Sequence, residues 1–183
     1  MKIKQLKIDY TGKNLLQLRE EFGIGANGFY DNNWWFKEDF AKESPERGLY
    51  ELDLSNTLVD LIFEEQKKKI KKGFEIAHPA IVAEAILTHF REKKERLCKN
   101  YWLRTSSVDS DVVRVSVGGF DSDGLHVYGN WGGDRYVSVG AAAARKLRSL
   151  ESRTIDPLES SNLKSRIKEL EDFRERVEKI LKV

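Results

Sequence analysis

The 183-residue chain has one cysteine, Cys98, and only three prolines and three histidines. A lone cysteine excludes an intramolecular disulfide framework and any metal site built on paired thiolates. There is no apolar run near membrane-spanning length, and "MKIKQLKIDY" at the N-terminus has no signal-type apolar stretch. The default expectation is therefore a cytoplasmic protein with no membrane span. Charge of one sign is missing too: 32 Lys and Arg face 30 Asp and Glu, a net +2. That balance does not point to nucleic acid or a membrane surface as partner. The densest basic run, "EEQKKKIKKG" (64–73), sets Glu64 and Glu65 four residues before Lys68 and Lys69. This is the favourable orientation for pairs on a solvated helix face.

The most informative absence is local. Between Leu103 and Val139 there is no Lys, Glu or Gln in 37 residues, although these types make up 40 of the 183. About ten would be expected on composition alone. Asp, Arg, Ser, Gly and aromatic residues remain, on a short valine alternation. Strands and tight turns are depleted in Lys and Glu, but other candidate strands of this chain carry several.

Around that stretch the pattern is α+β. "IKQLKIDY" alternates as a strand, and "KNLLQLREEFGIG" predicts a helix from Asn14 to about Phe22, stopped by glycine. The turn signals of "ANGFYDNNWWFKEDF" (26–40) predict a loop feeding a strand, and "GLYELDLS" (48–55) a short strand. A helix over about 63–72 comes next. "HPAIVAEAILTHFREKKERL" (78–97) has a first-turn proline and an apolar stripe through Ile81, Val82, Ala85, Ile86 and Phe90. His78 and His89 flank this helix as capping or packing residues.

Four antiparallel strands are then expected, at 100–106, 112–117, 124–128 and 135–140, with Gly- and Asp-rich turns. Alternation puts Val113, Val115 and Val117, Leu125 and Val127, and Val137 and Val139 on a core face. Arg114, Ser116, His126, Tyr128, Tyr136 and Ser138 take the other face. From Asp156 onward a capping signal opens an amphipathic helix of roughly 25 residues, with a stripe from Leu163 to Leu181. The expected organisation is one domain over 1–150 and a helix over 151–183 that packs or oligomerises.

Chemistry-bearing motifs are weak. "DSD" (109–111) and "DSDG" (121–124) suit a hard cation in principle, but no EF-hand ligand series follows, and Asp-Ser-Asp-Gly is common in turns. Glycines 118, 119 and 124 precede a strand, which fits no nucleotide-binding fingerprint. Ser106, Ser107, Asp109 and His126 lack a nucleophile-elbow setting. No cofactor, metal or catalytic set is expected.

From Ala77 to about Lys146 the order of parts resembles the C-type lectin fold, in its formylglycine-generating-enzyme-like branch. The resemblance lies in "HPAIVAEAI", in the Trp102–Ser107 strand, and in the closing "GAAAARK" (140–146). Glu-Pro-Asn and Trp-Asn-Asp triplets are lacking, as is a cysteine pair, so calcium-dependent sugar binding and formylglycine generation are not implied. The Lys/Glu/Gln gap resembles the variable region of a diversity-generating retroelement target protein. There, adenine-directed mutagenesis of asparagine-type codons cannot produce Lys, Glu, Gln, Met or Trp. The resemblance implies a non-enzymatic binder of a protein or other macromolecule, with Trp131 a scaffold position beside Phe120 and Leu125. Its ligand region would span about 103–139. The variable surface would use Ser116, Gly119, Asp121, Asp123, His126, Tyr128, Asn130, Gly132, Gly133, Asp134, Tyr136 and Ser138. An interaction protein acting through its C-terminal helix is the alternative.

Overall fold

The helix opened by His78-Pro79 is the spine of the fold. The computed structural model describes residues 5–147, together with Arg166, Lys168 and Phe173. The chain divides into two units at Leu147/Arg148, and every strand and helix with assigned bounds belongs to the first. Of the helix stripe from Leu163 to Leu181 only Phe173 is described, and it is exposed; the rest of the stripe, and oligomerisation through it, lie outside the described residues.

The elements are β1 (Leu6–Tyr10), α1 (Leu15–Phe22), α2 (Asp39–Lys42), β2 (Gly48–Asp53), α3 (Phe63–Lys69), β3 (Glu75–Ile76) and α4 (Pro79–Lys93). Then come β4 (Trp102–Val108), β5 (Arg114–Asp121), β6 (Gly124–Asn130), β7 (Val139–Ala141) and β8 (Ala143–Lys146). The architecture is α+β with two four-stranded sheets, ordered β1-β2-β8-β3 and β6-β5-β4-β7. Local signals explain the helices. Asn14 caps α1 in a reciprocal box with Gln17. His78 caps α4 by accepting from Ala80 N through Nδ1 (3.2 Å), with Pro79 at the first helical position.

The first half of α4, buried on every face from Pro79 to Leu87, and the inner faces of both sheets share a core that includes Ile86, Leu103, Val115, Val117, Phe120, Leu125 and Val127. The small-residue segment 141–144 is buried because it carries the chain from β7 into β8, from one sheet to the other. Ala142 N donates to Arg104 O and Ala142 O accepts from Ala77 N, each at 2.9 Å.

Three expectations are corrected. Trp34–Phe36 form turns, not a strand. Their indoles serve elsewhere: Trp35 is buried with Nε1 on Asn32 Oδ1 (2.6 Å), and Trp34 Nε1 caps Val127 O on the open edge of β6 (3.0 Å). Second, residues 135–138 are not a strand, and Val137 is 79 % exposed. The strand begins at Val139 and runs parallel to β4, with Trp102 opposite Val139. Parallel neighbours need a crossover, and 131–138 provides it, returning across the outer face of the second sheet. Third, Trp131 is 58 % exposed on that crossover and is not core.

Leu125 and Trp131 therefore separate sharply. Leu125→Ala should cost roughly 2–5 kcal/mol in chemical denaturation, while Trp131→Ala should stay within about ±0.5 kcal/mol.

His78 makes the cap pH-sensitive. Burial holds its pKa below 6.5, against the raising effect of Glu43, whose carboxylate lies 3.1 Å from Nε2. A histidine with a lowered folded pKa contributes stability present in full above the unfolded value near 6.5. That stability is lost as pH falls toward and through the lower folded value. Asn at 78 keeps a capping oxygen and does not titrate. Melting temperatures should show wild type losing ground to His78→Asn between about pH 7 and 5.5.

Candidate functional site

The outer face of the second sheet is organised by Arg104 on β4. Its side chain is fully buried, and no carboxylate among the described residues lies within salt-bridge distance of it. Carbonyl dipoles take the place of a counter-ion. Nη1 donates to Leu61 O (3.0 Å) and Gln66 Oε1 (3.2 Å), and Nη2 to Trp131 O and Asp134 O (2.8 Å each). Gln66, also buried, donates onward to Leu58 O (2.6 Å) and Val139 O (3.0 Å). Burial lowers the Arg104 pKa from its ordinary value.

Residues 58–65 form the second support of the crossover. Asp60 N donates to Tyr136 O (2.9 Å), Phe63 N to Gly132 O (2.8 Å), and Arg135 spans Asp60 O (2.9 Å) and Glu65 Oε1 (2.7 Å). Tyr136 OH donates to Asp134 Oδ2 (2.8 Å), a bond to a carboxylate that raises the phenol pKa. The Arg104 guanidinium lies 5.6 Å from the centre of the Tyr136 ring.

The twelve sequence-derived positions separate into three groups. Tyr128, Asn130, Gly132, Gly133, Asp134, Tyr136 and Ser138 lie on or beside the crossover, with Tyr128, Gly133 and Asp134 exposed. Asp121 and Asp123 lie at the other end of the β5–β6 hairpin, roughly 20 Å from Asn130 along the strand, while His126 is two residues, about 7 Å, from Tyr128 on the same face of β6. His126 stacks on Tyr30 (4.1 Å), and Asp121 Oδ1 accepts from Asp123 N (2.8 Å). Ser116 and Gly119 are buried and lie outside any surface. Ser116 stands in register between Arg104 and Tyr128, beneath the crossover. Gly119 has φ +60, and a Cβ there would meet the Trp102 indole at 2.8 Å.

The Asp pairs are turn residues. Asp109 Oδ1 accepts from Asp111 N (3.0 Å) and Val113 N (2.8 Å), in a turn that holds Val112 at φ +63. Cys98 is buried and its thiol is pushed up to about 12 by burial, so it is a packing residue. Sequence reasoning missed Arg104, Gln66 and the whole 58–65 support. The one available signal was an arginine inside the otherwise apolar opening of "WLRTS".

Exposure sharpens the compositional gap. Within residues 5–147 but outside 103–139, 22 of the 40 exposed positions are Lys, Glu or Gln; inside 103–139, none of 13 is. Burial alone therefore does not account for the absence. No protein-family model, curated protein or solved structure matches the chain.

Removing the guanidinium should release the crossover. Arg104→Met leaves four acceptors unmet, each costing about 1–3 kcal/mol when buried, so the loss should be about 3 kcal/mol or more by chemical denaturation. Hydrogen exchange should quicken at Phe63 and Val139 N–H. Arg104→Lys, a point charge without the planar fork, should recover only part of both.

Proposed function

We propose that the chain is a non-enzymatic binding protein that presents a sequence-variable ligand surface on a C-type-lectin-like scaffold, as the variable protein of a diversity-generating retroelement does. One observation carries the reading: no Lys, Glu or Gln occupies an exposed position of 103–139, while they hold more than half of the exposed positions elsewhere among the described residues. The surface keeps Tyr128, Trp131, Asp134 and Tyr136 over the Arg104-anchored crossover. Rigid aromatics with small polar neighbours are the chemistry of antibody-like contact surfaces. Tyr128 and Trp131 are 56 % and 58 % exposed. A tryptophan lies outside what adenine-directed change of asparagine-type codons can produce, so Trp131 is a constant anchor among changing neighbours. The surface so defined comprises Tyr128, Asn130, Gly132, Gly133, Asp134, Tyr136 and Ser138. Its partner is a protein or other macromolecule.

The gene decides the retroelement component. A nearby template repeat that differs from codons 103–139 only opposite adenines, beside a reverse transcriptase gene, is expected. Codons at 128, 130, 134 and 136 that do not end in pyrimidines would sink it. Protein stability checks the surface separately. Tyr128→Asp and Asp134→Asn should change stability by no more than about 0.5 kcal/mol. Gly119→Ser should destabilise clearly, because the added Cβ has no space and the backbone angle is unfavourable. Unfolding by the first pair would show that these side chains hold the fold.

A further inference from the structure

Beside the crossover, a cleft of about 410 Å³ opens between α3, β3 and the β4–β5 pair. Phe63, Ile70, Phe74 and Ile76 give it apolar walls, and Arg114 and Ser106 supply polar groups. The Arg114 guanidinium lies over the Phe63 ring, 4.0 Å from its centre, and its Nη1 donates to Ser106 O (2.7 Å) and Ser107 O (3.4 Å). Among the described residues its Nη2 has no hydrogen-bond partner, its buried Nε has none, and no carboxylate lies within ion-pair distance. The other cation of the cleft is already engaged, with Lys67 Nζ 3.4 Å from Glu64. Glu75 stands exposed on the lining.

A half-buried guanidinium without a carboxylate in ion-pair distance carries a desolvation cost that two carbonyl bonds from Nη1 and the Phe63 ring offset only in part. Burial accordingly lowers the Arg114 pKa. A planar oxyanion offsets that cost best, because the fork geometry matches a carboxylate. The rest of the cleft is of a size and polarity suited to a small apolar group.

We propose that this cleft binds the carboxylate of a ligand with an apolar body, Arg114 Nη2 taking the carboxylate and the Phe63–Ile70–Phe74–Ile76 wall taking the body. The chemistry is shared by free arylalkanoic acids and by a peptide C-terminus ending in an apolar residue. The cleft adjoins the Tyr128–Trp131 surface but shares none of its residues.

Calorimetric titration of the full chain tests it with 3-phenylpropionate and an acetylated tripeptide ending in phenylalanine, each beside its amide. The acids should bind at least about tenfold more tightly than the amides, the difference a charge-assisted hydrogen bond supplies. Arg114→Gln should remove that preference. Ile70→Glu, which leaves every Arg114 bond in place but sets a repelling carboxylate in the cleft, should weaken acid binding about tenfold. Tyr128→Asp should leave it unchanged. Tighter binding of the tripeptide acid assigns the site to chain termini, and tighter binding of phenylpropionate to small acids. Amides that bind as well as acids, acids that give no heat at millimolar concentration, or an Ile70→Glu variant with full acid affinity would each overturn the proposal. If Arg114→Gln fails to melt cooperatively, Ile70→Glu decides alone.

Discussion

A guanidinium with no carboxylate partner, buried on the outer face of a sheet, governs what the 131–138 segment can be. Arg104 cannot shed its proton, and leaving its donors unmet would cost several kcal/mol. The chain therefore brings carbonyl oxygens to it from two sides, Leu61 before α3 and Trp131 and Asp134 on the crossover. Gln66 completes the set and links it to Val139, where β7 begins. An irregular segment without ladder hydrogen bonds is thus held at defined points. Its backbone is fixed while the side chains of Trp131 and Asp134 stay exposed.

The same logic separates the two ends of the β5–β6 hairpin. At the Asp121–Gly124 end, residues 28–34 close over the edge of β6: Tyr30 N donates to Leu125 O (2.9 Å), and Trp34 caps Val127 O. His126 is stacked against Tyr30 there and is partly spent on packing. At the Asn130 end nothing comparable among the described residues covers Tyr128. The covered and the open parts of β6 therefore lie toward different ends of one hairpin: Asp121 and Asp123 belong to the turn end, and His126, two residues from Tyr128, lies between the two.

What could be read from the sequence was what neighbours in sequence determine. Asn14 with Gln17, and His78 with Pro79, fix helix starts within four residues, so the starts of α1 and α4 were legible to the residue, while α4 ends at Lys93, four residues short of the expected 97. Alternation placed Val115, Val117, Leu125 and Val127 in the core because both faces of β5 and β6 repeat every second residue. It failed at Val137 and Trp131, since alternation carries no information once a chain leaves the ladder to cross over. It failed at Ser116 and Gly119 for a different reason. Their burial is imposed by the crossover and by Trp102, distant in sequence or across the sheet. The parallel pairing of β7 with β4 was illegible for the same cause. It depends on where 58–66 sits, and those residues read only as a charged helix and its approach.

The compositional gap has two physical halves. Positions such as Leu103, Val115–Phe120 and Leu125 lack Lys and Glu because they are buried, as any core would. The 13 exposed positions need another reason. Long, flexible, strongly hydrated side chains are the residues that lose most rotamer freedom when a partner covers them. Tyrosine and tryptophan offer more contact area for fewer rotatable bonds, and Gly, Ser and Asp fit around them at little cost. Asn-type codons under adenine-directed change reach the Tyr, Gly, Ser and Asp of that set while missing Lys, Glu, Gln and Trp. Selection for contact chemistry and the proposed mutational route therefore leave similar protein sequences. They part at Trp131, which the codon route cannot reach and which contact chemistry favours: on the proposed route, an exposed tryptophan whose carbonyl is tied to Arg104 would belong to the fixed frame of the surface.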